Sequence, residues 1–412
     1  MNPAVVRGVG VMLPIALVAL AVLLRPVRLT GGAARDGQAR LAGALLATGW
    51  NVMVLGPLNA TGLWWSFQAE GGVVAGVPVD LLLGWALLWG ALPALAFPLA
   101  PMPLVAAGLA WADLALMPLA EPVVRLHDGW LVGETVAVAA GLVPGLLIAR
   151  WTVQGRRLGV RAAAQVVLAA GLGLAIPVAL SGVWRQPGWV LGLAVQALAV
   201  PGALGLAAVR EFRDHGQGTA LPYDPPRVLV TGGPYAYVRN PMQVAMTLGY
   251  LVIAVLDVRF LGAAALSFAY GAGLAAWHEG GQLARHDGWE AYRGRVRAWV
   301  PGTRPDMPPA TVHVSATCGR CAPVAAWIER HEPVRLRVVP AETHPAGLRR
   351  ITYTRGDGPP EQGVAALAHV FTHLHLGWAV LGWLLMIPGL TRFAQLAGDA
   401  FGAAPRDVRP PA

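Results

Sequence analysis

The chain has 412 residues, of which 56% are hydrophobic and only 13% are charged. That is too little charge to cover the surface of a soluble protein of this size, so a water-soluble globular fold is excluded. The net charge of +9 raises nucleic acid as a partner, but the basic residues fall in loops between apolar blocks and in the C-terminal region, so the sequence argues for a lipid bilayer and against nucleic acid.

Taken in chain order, the apolar blocks predict nine membrane helices, each long enough for a span of about 20 residues. They run near Val9–Leu24, Leu41–Leu58, Val79–Phe97, Met102–Leu119, Trp130–Ile148, Ala162–Gly182, Trp189–Val209, Met242–Leu256 and Phe260–Trp277. The first is followed by arginines rather than by a small-residue cleavage site, so it reads as a retained helix. All basic residues are arginine, with no lysine, and the Ala-, Gly-, Val- and Pro-rich composition fits a GC-rich bacterial genome. Arg25, Arg28, Arg35 and Arg40 follow the first helix, Arg150, Arg156, Arg157 and Arg161 the fifth, and Arg210 and Arg213 the seventh. The loops around Asn59–Pro78 and Trp184–Gly188 are nearly free of arginine. The positive-inside rule therefore predicts an outside N-terminus and a multi-pass protein of the inner (cytoplasmic) membrane with its C-terminus in the cytoplasm.

Trp130, Trp151, Trp184 and Trp189 fall at helix ends, where an amphipathic ring suits the headgroup layer, whereas Trp85, Trp89 and Trp111 read as core. Asp113 and Glu134 lie within or near spans. A carboxyl there is a functional candidate because burying it is costly; an interhelical hydrogen bond, or for Glu134 a wet position near the outer surface, is the preferred reading.

Between the seventh and eighth helices comes a polar run, Gly216 to Pro241, punctuated by Gly216, Gly218, Gly232 and Gly233 and by Pro222, Pro225, Pro226 and Pro234. The glycines let backbone approach a ligand and the prolines stiffen an extended path. Asn240 and Pro241 suit the N-cap and first position of a helix. A second polar run, Glu279 to Pro301, follows the ninth helix. Only Asp257-Val258-Arg259 joins helices eight and nine, so a hairpin returns both runs to one membrane face. Phosphate-headgroup contact is an equal alternative for Arg293 and Arg297.

These two runs resemble the isoprenylcysteine carboxyl methyltransferase and phospholipid methyltransferase family of integral-membrane enzymes. The likeness rests on Gly216-x-Gly218-Thr219-x-x-Pro222, Leu229-Val230-x-x-Gly233-x-Tyr235, Arg239-Asn240-Pro241, and the tail of Glu279, Leu283, Tyr292 and Arg295-Val296-x-x-Trp299-x-Pro301. It covers roughly Glu211 to Pro301. Met242 stands where the family commonly has tyrosine, and Gly280 replaces a second glutamate. The resemblance implies S-adenosyl-L-methionine as cofactor, bound on the cytoplasmic side, and a lipophilic small-molecule or lipid substrate entering from the bilayer. It implies that Leu229, Val230, Tyr235, Asn240 and Pro241 line the cofactor, that Glu279, Tyr292 and Arg295 close over it, and that Arg239 holds or polarises a substrate group. Arg239, Asn240 and Glu279 are then the catalytic candidates. Methyl transfer is an in-line displacement that needs positioning and desolvation but no metal.

After a Pro-rich linker at Gly302–Pro309, the pattern predicts a strand at Thr311–Ser315, a helix at Arg320–Arg330 and a strand at Val334–Val339. A third strand at Ile351–Thr354, a turn at Arg355–Gly358 and a helix from Val364 to about Leu374 complete a small α/β domain. The only two cysteines, Cys318 and Cys321, form a Cys-x-x-Cys pair at the strand–helix junction. A helix start, helped by Arg320, would favour the thiolate there; inert core cysteines and a zinc site drawing on His313 or His331 are the alternatives. His369 and His373 are one helical turn apart, and read as satisfied or surface histidines rather than as metal ligands. Residues 377–390 read as a helix packed on the domain or lying in the interface.

This region is similar to the DCC family of thioredoxin-like thiol-disulfide proteins, from Val312 to about His373. The resemblance implies a thioredoxin-like fold, a redox pair at Cys318 and Cys321, and a cytoplasmic thiol partner. The family's aspartate before the first cysteine is missing, because Ser315-Ala316-Thr317 precede Cys318. The whole chain is thus expected to be an all-α polytopic membrane protein with a small α/β thioredoxin-like C-terminal domain. Its divisions are residues 1–210, 211–301 and 310–400. The expected function is S-adenosylmethionine-dependent methyl transfer to a carboxylate, amine or hydroxyl. The alternative is a membrane-anchored thiol-disulfide oxidoreductase in which the methyltransferase-like region is a scaffold.

Overall fold

The structure is a computed structural model that describes residues 2–28, 34–221, 226–345, 347–356 and 358–405, without the side chains of residues 34, 278, 279 and 282. Pro222 and Pro225 of the polar run, and Asp357 of the expected turn, lie outside the described residues. The chain divides into two compact units, one spanning residues 1–182 and the other holding almost everything from Val183 onward.

Seven helices among the described residues are long and apolar enough to cross a membrane: α1 (Pro3–Leu24), α2 (Arg35–Ala60), α3 (Val79–Ala96), α4 (Met102–Ala120), α5 (Trp130–Val153), α6 (Leu158–Ser181) and α7 (Gly188–Asp214). The expected count of nine is therefore corrected to seven. The two helices of the hairpin form where expected, α8 (Pro241–Ala254) and α9 (Phe260–Ala275), but both are shorter. The 14 residues of α8 reach about 21 Å at a rise of about 1.5 Å per residue, against a hydrocarbon core of about 30 Å.

The first unit packs its helices through small residues. A side chain on Gly84 of α3 would run into the backbone of Gly10 on α1, and one on Gly90 would run into Ala47 and Thr48 of α2. Gly43 of α2 sits close to the Ala149 backbone of α5, less tightly than these two. Lipid is as apolar as leucine, so close backbone approach is what holds such helices together. Trp89 is fully buried as expected, but Trp111 is 72% exposed and faces outward. Asp113 of α4 and Glu134 of α5 are both buried and lie within interacting distance of one another, so Glu134 is not at a wet edge. Outside the helices, β1 (Trp65–Phe67) pairs antiparallel with β4 (Val124–Leu126), and β2 (Val73–Val74) with β3 (Val77–Pro78).

In the second unit, α9 continues into α10 (Ala276–Leu283), and the short α11 (Trp289–Arg295) follows. A four-stranded sheet comes next, built from β5 (Ala310–Val314), β6 (Leu336–Pro340), β7 (Thr352–Arg355) and β8 (Glu361–Gln362). Its order is β6-β5-β7-β8, with β5 and β6 parallel and the rest antiparallel. The parallel pair is bridged by α12 (Ala322–Arg330), and α13 (Val364–Phe371) closes the domain. The expected β-α-β-β-α order is present with one more strand, β8, too short to show as alternation. Val312, Ile328, Tyr353, Ala366 and Val370 make the buried centre of this domain.

Residues 377–390 do not form one helix: α14 (Leu376–Leu385) bends by 94° into α15 (Leu390–Gly398). Trp383 and Ala379 of α14 join Ala203, Leu204 and Ala207 of α7, Tyr237 and Val238 of the polar run, and Val244 and Ala245 of α8 in one apolar core. The polar run, the hairpin and the C-terminal region thus share a single packed interior.

Gly90→Val is expected to cost about 1–3 kcal/mol or to block folding, because backbone cannot retreat from the added side chain. Gly108→Val on α4, where nothing lies within 4 Å, should change stability by less than about 0.5 kcal/mol. Thermal unfolding of the two purified variants in one detergent checks this; equal losses would contradict close packing at Gly90.

Candidate functional site

The two polar runs meet. The Arg239 amide donates to the Arg297 carbonyl at 2.9 Å and the Asn240 amide to Ala298 at 3.3 Å. Further along, the Gly302 amide donates to Tyr237 at 2.8 Å and the Asp306 amide to Ala236 at 2.9 Å. Backbone bonding of this kind fixes position without constraining side chains, which leaves those of Arg239 and Asn240 for other work.

Around this seam, Val230, Tyr235 and Pro241 are buried, with Val230 and Tyr235 packed beside Ala208, Phe212 and Met242. Leu229 is half-buried. Tyr292 of α11 is buried, and its hydroxyl donates to the Tyr235 carbonyl at 2.9 Å. Burial pushes its phenol pKa up, with the nearby Arg239 charge acting in the opposite direction. The Arg239 guanidinium lies over the Trp289 ring, 5.8 Å from its centroid, and its Nε is buried without a hydrogen-bond partner among the described residues. A cation held against an aromatic face with one donor unused is suited to an anionic group. Asn240 does stand at the N-cap of α8, but its side chain makes no capping bond.

Arg295 points elsewhere: it is exposed and donates to Asp306 at 2.8 Å, a carboxylate it shares with Arg335. Glu279 lies on α10, and its side chain is outside the described residues. The structure therefore brings together Val230, Tyr235, Arg239, Asn240, Pro241 and Tyr292.

The glycine pair of the first run proves to have a different neighbour. Gly233 has a φ of +55°, and a side chain there would press on the Glu211 carboxylate. A side chain on Gly232 would collide with both Arg355 and Glu211. Glu211 on α7 accepts from Arg355 of β7 at 2.5 Å, and both side chains are about 95% buried, at 5% and 4% exposure. Arg210 of the same helix pairs with Glu361 of β8. Beside this pair Tyr353 stacks on His369 at 5.0 Å and shares a hydrogen bond with His373 Nε2 at 2.9 Å. His373 Nδ1 faces the Val334 carbonyl at 2.7 Å. His373 is thus satisfied inside the protein, as expected, and His369 is buried against the Tyr353 ring. Burial holds the His373 pKa down to about 4, and burial together with Arg210 and Arg355 holds that of His369 well below its ordinary value.

Cys318 and Cys321 are half-buried thiols in the loop between β5 and α12, with Cys321 at the N-cap. The helix starts at Ala322 rather than at Arg320, because the Cys318 carbonyl first closes a turn with the amides of Cys321 and Ala322. The Arg320 guanidinium reaches the carbonyls of Phe401 and Gly402, each at 3.3 Å.

An acid does reach the loop before Cys318, from the turn that follows β6. Glu342 accepts from the Ser315 hydroxyl at 2.8 Å, from the amides of Ala316 and Thr317 at 3.1 Å each, and from the Thr317 hydroxyl at 2.9 Å. Desolvation pushes its pKa up, but the amides of Ala316 and Thr317 and the Ser315 hydroxyl outweigh it and hold the carboxyl down to about 2. Sequence spacing hides this residue, yet the register carries a signal. Val314 pairs with Pro340 in the parallel ladder, so two residues past each strand end places Ala316 beside Glu342.

Comparison of the chain with protein-family models, with curated proteins and with solved structures gave no match.

Glu342→Ala should speed amide hydrogen exchange at Ala316 and Thr317 by at least about tenfold, since each loses a charged acceptor; unchanged exchange would remove Glu342 as the support of the cysteine loop. A pH effect follows from the two histidines. Their folded pKa values lie below the unfolded value of about 6.5, so the unfolded chain binds more protons in acid. Stability of the C-terminal region should be full above about pH 6.5 and fall toward pH 4, by about 1.4 kcal/mol per pH unit for each histidine. Urea unfolding at pH 7 and pH 5 measures this, and a more stable protein at pH 5 would contradict it.

Proposed function

We propose that this chain is an integral-membrane S-adenosylmethionine-dependent methyltransferase acting on a lipophilic acceptor that carries a carboxylate, amine or hydroxyl. The observation that carries the reading is the seam in which the Arg239 and Asn240 amides bond to Arg297 and Ala298. It joins the two runs whose motifs resemble the isoprenylcysteine carboxyl methyltransferase and phospholipid methyltransferase family. The residues at the seam fit the cofactor's chemistry. The buried Nε of Arg239, unpartnered among the described residues, suits a carboxylate, and Val230, Tyr235 and Tyr292 offer the dry wall that an adenosyl group or a lipid requires. When bound, S-adenosylmethionine supplies an electrophilic methyl on a sulfonium. The work left to the protein is orientation and exclusion of water. Arg239 holds an anionic group, Asn240 offers an amide free of capping duty, and Tyr292 clamps α11 onto the first run through the Tyr235 carbonyl.

The arginine loops put this seam on the cytoplasmic side of the inner membrane, with the N-terminus outside. Seven or nine crossings give the C-terminal region the same side. Reporter fusions after Trp184 and after Pro301 should fall on opposite faces; same-side reporters would mean a miscounted helix.

A second reading, thiol–disulfide exchange at Cys318 and Cys321, is favoured by the sheet order β6-β5-β7-β8 with the pair between β5 and α12. That is the topology expected of a DCC-type thioredoxin-like domain, and a cytoplasmic thiol pool would be its partner.

Calorimetry on Arg239→Ala, Asn240→Ala and Glu279→Ala tests the first reading, with S-adenosylmethionine affinity expected to fall by about tenfold or more for a lost charge-assisted contact. Unchanged affinity in both the Asn240 and the Glu279 variant would make the site assignment wrong. Cys318→Ser should abolish disulfide formation and leave cofactor affinity intact; loss of affinity would couple the two chemistries.

A further inference from the structure

The thiol pair opens onto a pocket that neither methyl transfer nor a protein redox partner requires. A pocket of about 330 Å³ lies against Cys318 and Cys321, walled by Val314, Val324, Ile351 and Leu367. Its other wall is the chain's own C-terminal helix, through Gln395, Gly398 and Phe401. That wall is fastened at several points. Arg350 grips Asp399 with two bonds at 2.5 and 2.8 Å, Gln395 accepts from the Val364 amide at 2.8 Å, and Arg320 holds the carbonyls of Phe401 and Gly402. A folded protein would have to displace this strap to enter the pocket; a small molecule would not.

The helix α15 is two-sided. Gln395 and Asp399 are one turn apart and tie it to the domain. The opposite face shows Leu390, Phe393 and Leu396 at 39, 69 and 69% exposure. In a chain with seven bilayer-length helices, such a face is matched by the lipid interface, where its apolar side chains leave water. Of the three arginines that line the pocket, Arg350 is engaged with Asp399 and Arg320 with backbone carbonyls, while Arg349 is exposed; beside them the lining is thiols and hydrocarbon, with Ser315 and Gln395. An apolar guest is what that lining solvates.

We propose that Cys318 and Cys321 exchange with a small apolar disulfide drawn from the lipid phase rather than with a disulfide in a folded protein. The proposal rests on the thiol–disulfide reading above and names its substrate class. One cysteine, as thiolate, attacks a sulfur of R–S–S–R, forming a mixed disulfide and expelling RS⁻, which takes the proton the cysteine released. The second cysteine then attacks the protein sulfur of the mixed disulfide and expels the other RS⁻, protonated in turn. Two cysteine thiols become one disulfide, and one R–S–S–R becomes two RSH.

The test uses the full chain, reduced and held in lipid nanodiscs, offered dihexyl disulfide, oxidised glutathione or disulfide-bonded insulin. Formation of the Cys318–Cys321 disulfide is followed by alkylation and mass spectrometry, with a Cys-Gly-Arg-Cys peptide as reference. The preference for dihexyl disulfide over glutathione should exceed that of the peptide by at least about tenfold, because only the protein gives the hexyl chains an apolar site. Filling the pocket with Leu367→Trp or, separately, Val324→Trp should remove that excess in whichever variant folds. A preference equal to the peptide's, or insulin reacting fastest, would overturn the proposal. If the peptide is oxidised and the protein by none of the three, the thiol–disulfide reading itself fails.

Discussion

The second unit depends on one buried ion pair, Glu211 with Arg355. Two charges taken out of water are costly, and only close geometry with further hydrogen bonds repays them. Here the geometry is enforced from both directions, by α7, which carries Glu211, and by β7, which carries Arg355. The absence of side chains at Gly232 and Gly233 is what lets the pair close under the polar run. The run that resembles a methyltransferase motif, the last spanning helix and the C-terminal sheet consequently all meet at this pair. Around it, Arg210 with Glu361, and Tyr353 with the two neutral histidines, extend the same polar interior.

That constraint sets what the rest of the unit can do. With the first run pinned at Gly232-Gly233, Tyr235 turns inward against Phe212, and Tyr237 sends its hydroxyl to the Thr372 carbonyl at 3.1 Å. Arg239 and Asn240 emerge at the start of α8, where the second run's backbone meets them. The candidate methyl-transfer seam is thus built from loop segments, but they are held by a helix and a sheet. The thiol pair belongs to the same unit, yet its surroundings are separate: a loop held by Glu342 and a pocket closed by α15.

Much of this was legible in the residues. Apolar blocks located every helix from α1 to α9, and alternation located β5, β6 and β7, because burial imposes those periods directly. Crossing the bilayer was less legible at α8, since hydropathy reads composition while helix length is set by where the turn at Asp257 interrupts it. The seam between the runs was legible from the short hairpin connection. What stayed hidden were pairings across distance. Glycines at 232 and 233 look like room for a ligand, and nothing nearby says that an arginine more than a hundred residues on fills it. Glu342 was hidden for the same reason, although the parallel register would have pointed to it. Trp111 misled because an indole inside an apolar block looks the same whether it faces protein or lipid.

The central claim is that the Glu211–Arg355 pair joins the polar run and the C-terminal sheet into one folding unit. A double-mutant cycle with Glu211→Gln and Arg355→Met, read by urea unfolding, measures it most directly. Each single change should cost about 3–5 kcal/mol, because it strands a buried charge, and the double variant should recover much of that loss. Single losses that simply add, with a coupling under about 0.5 kcal/mol, would contradict it.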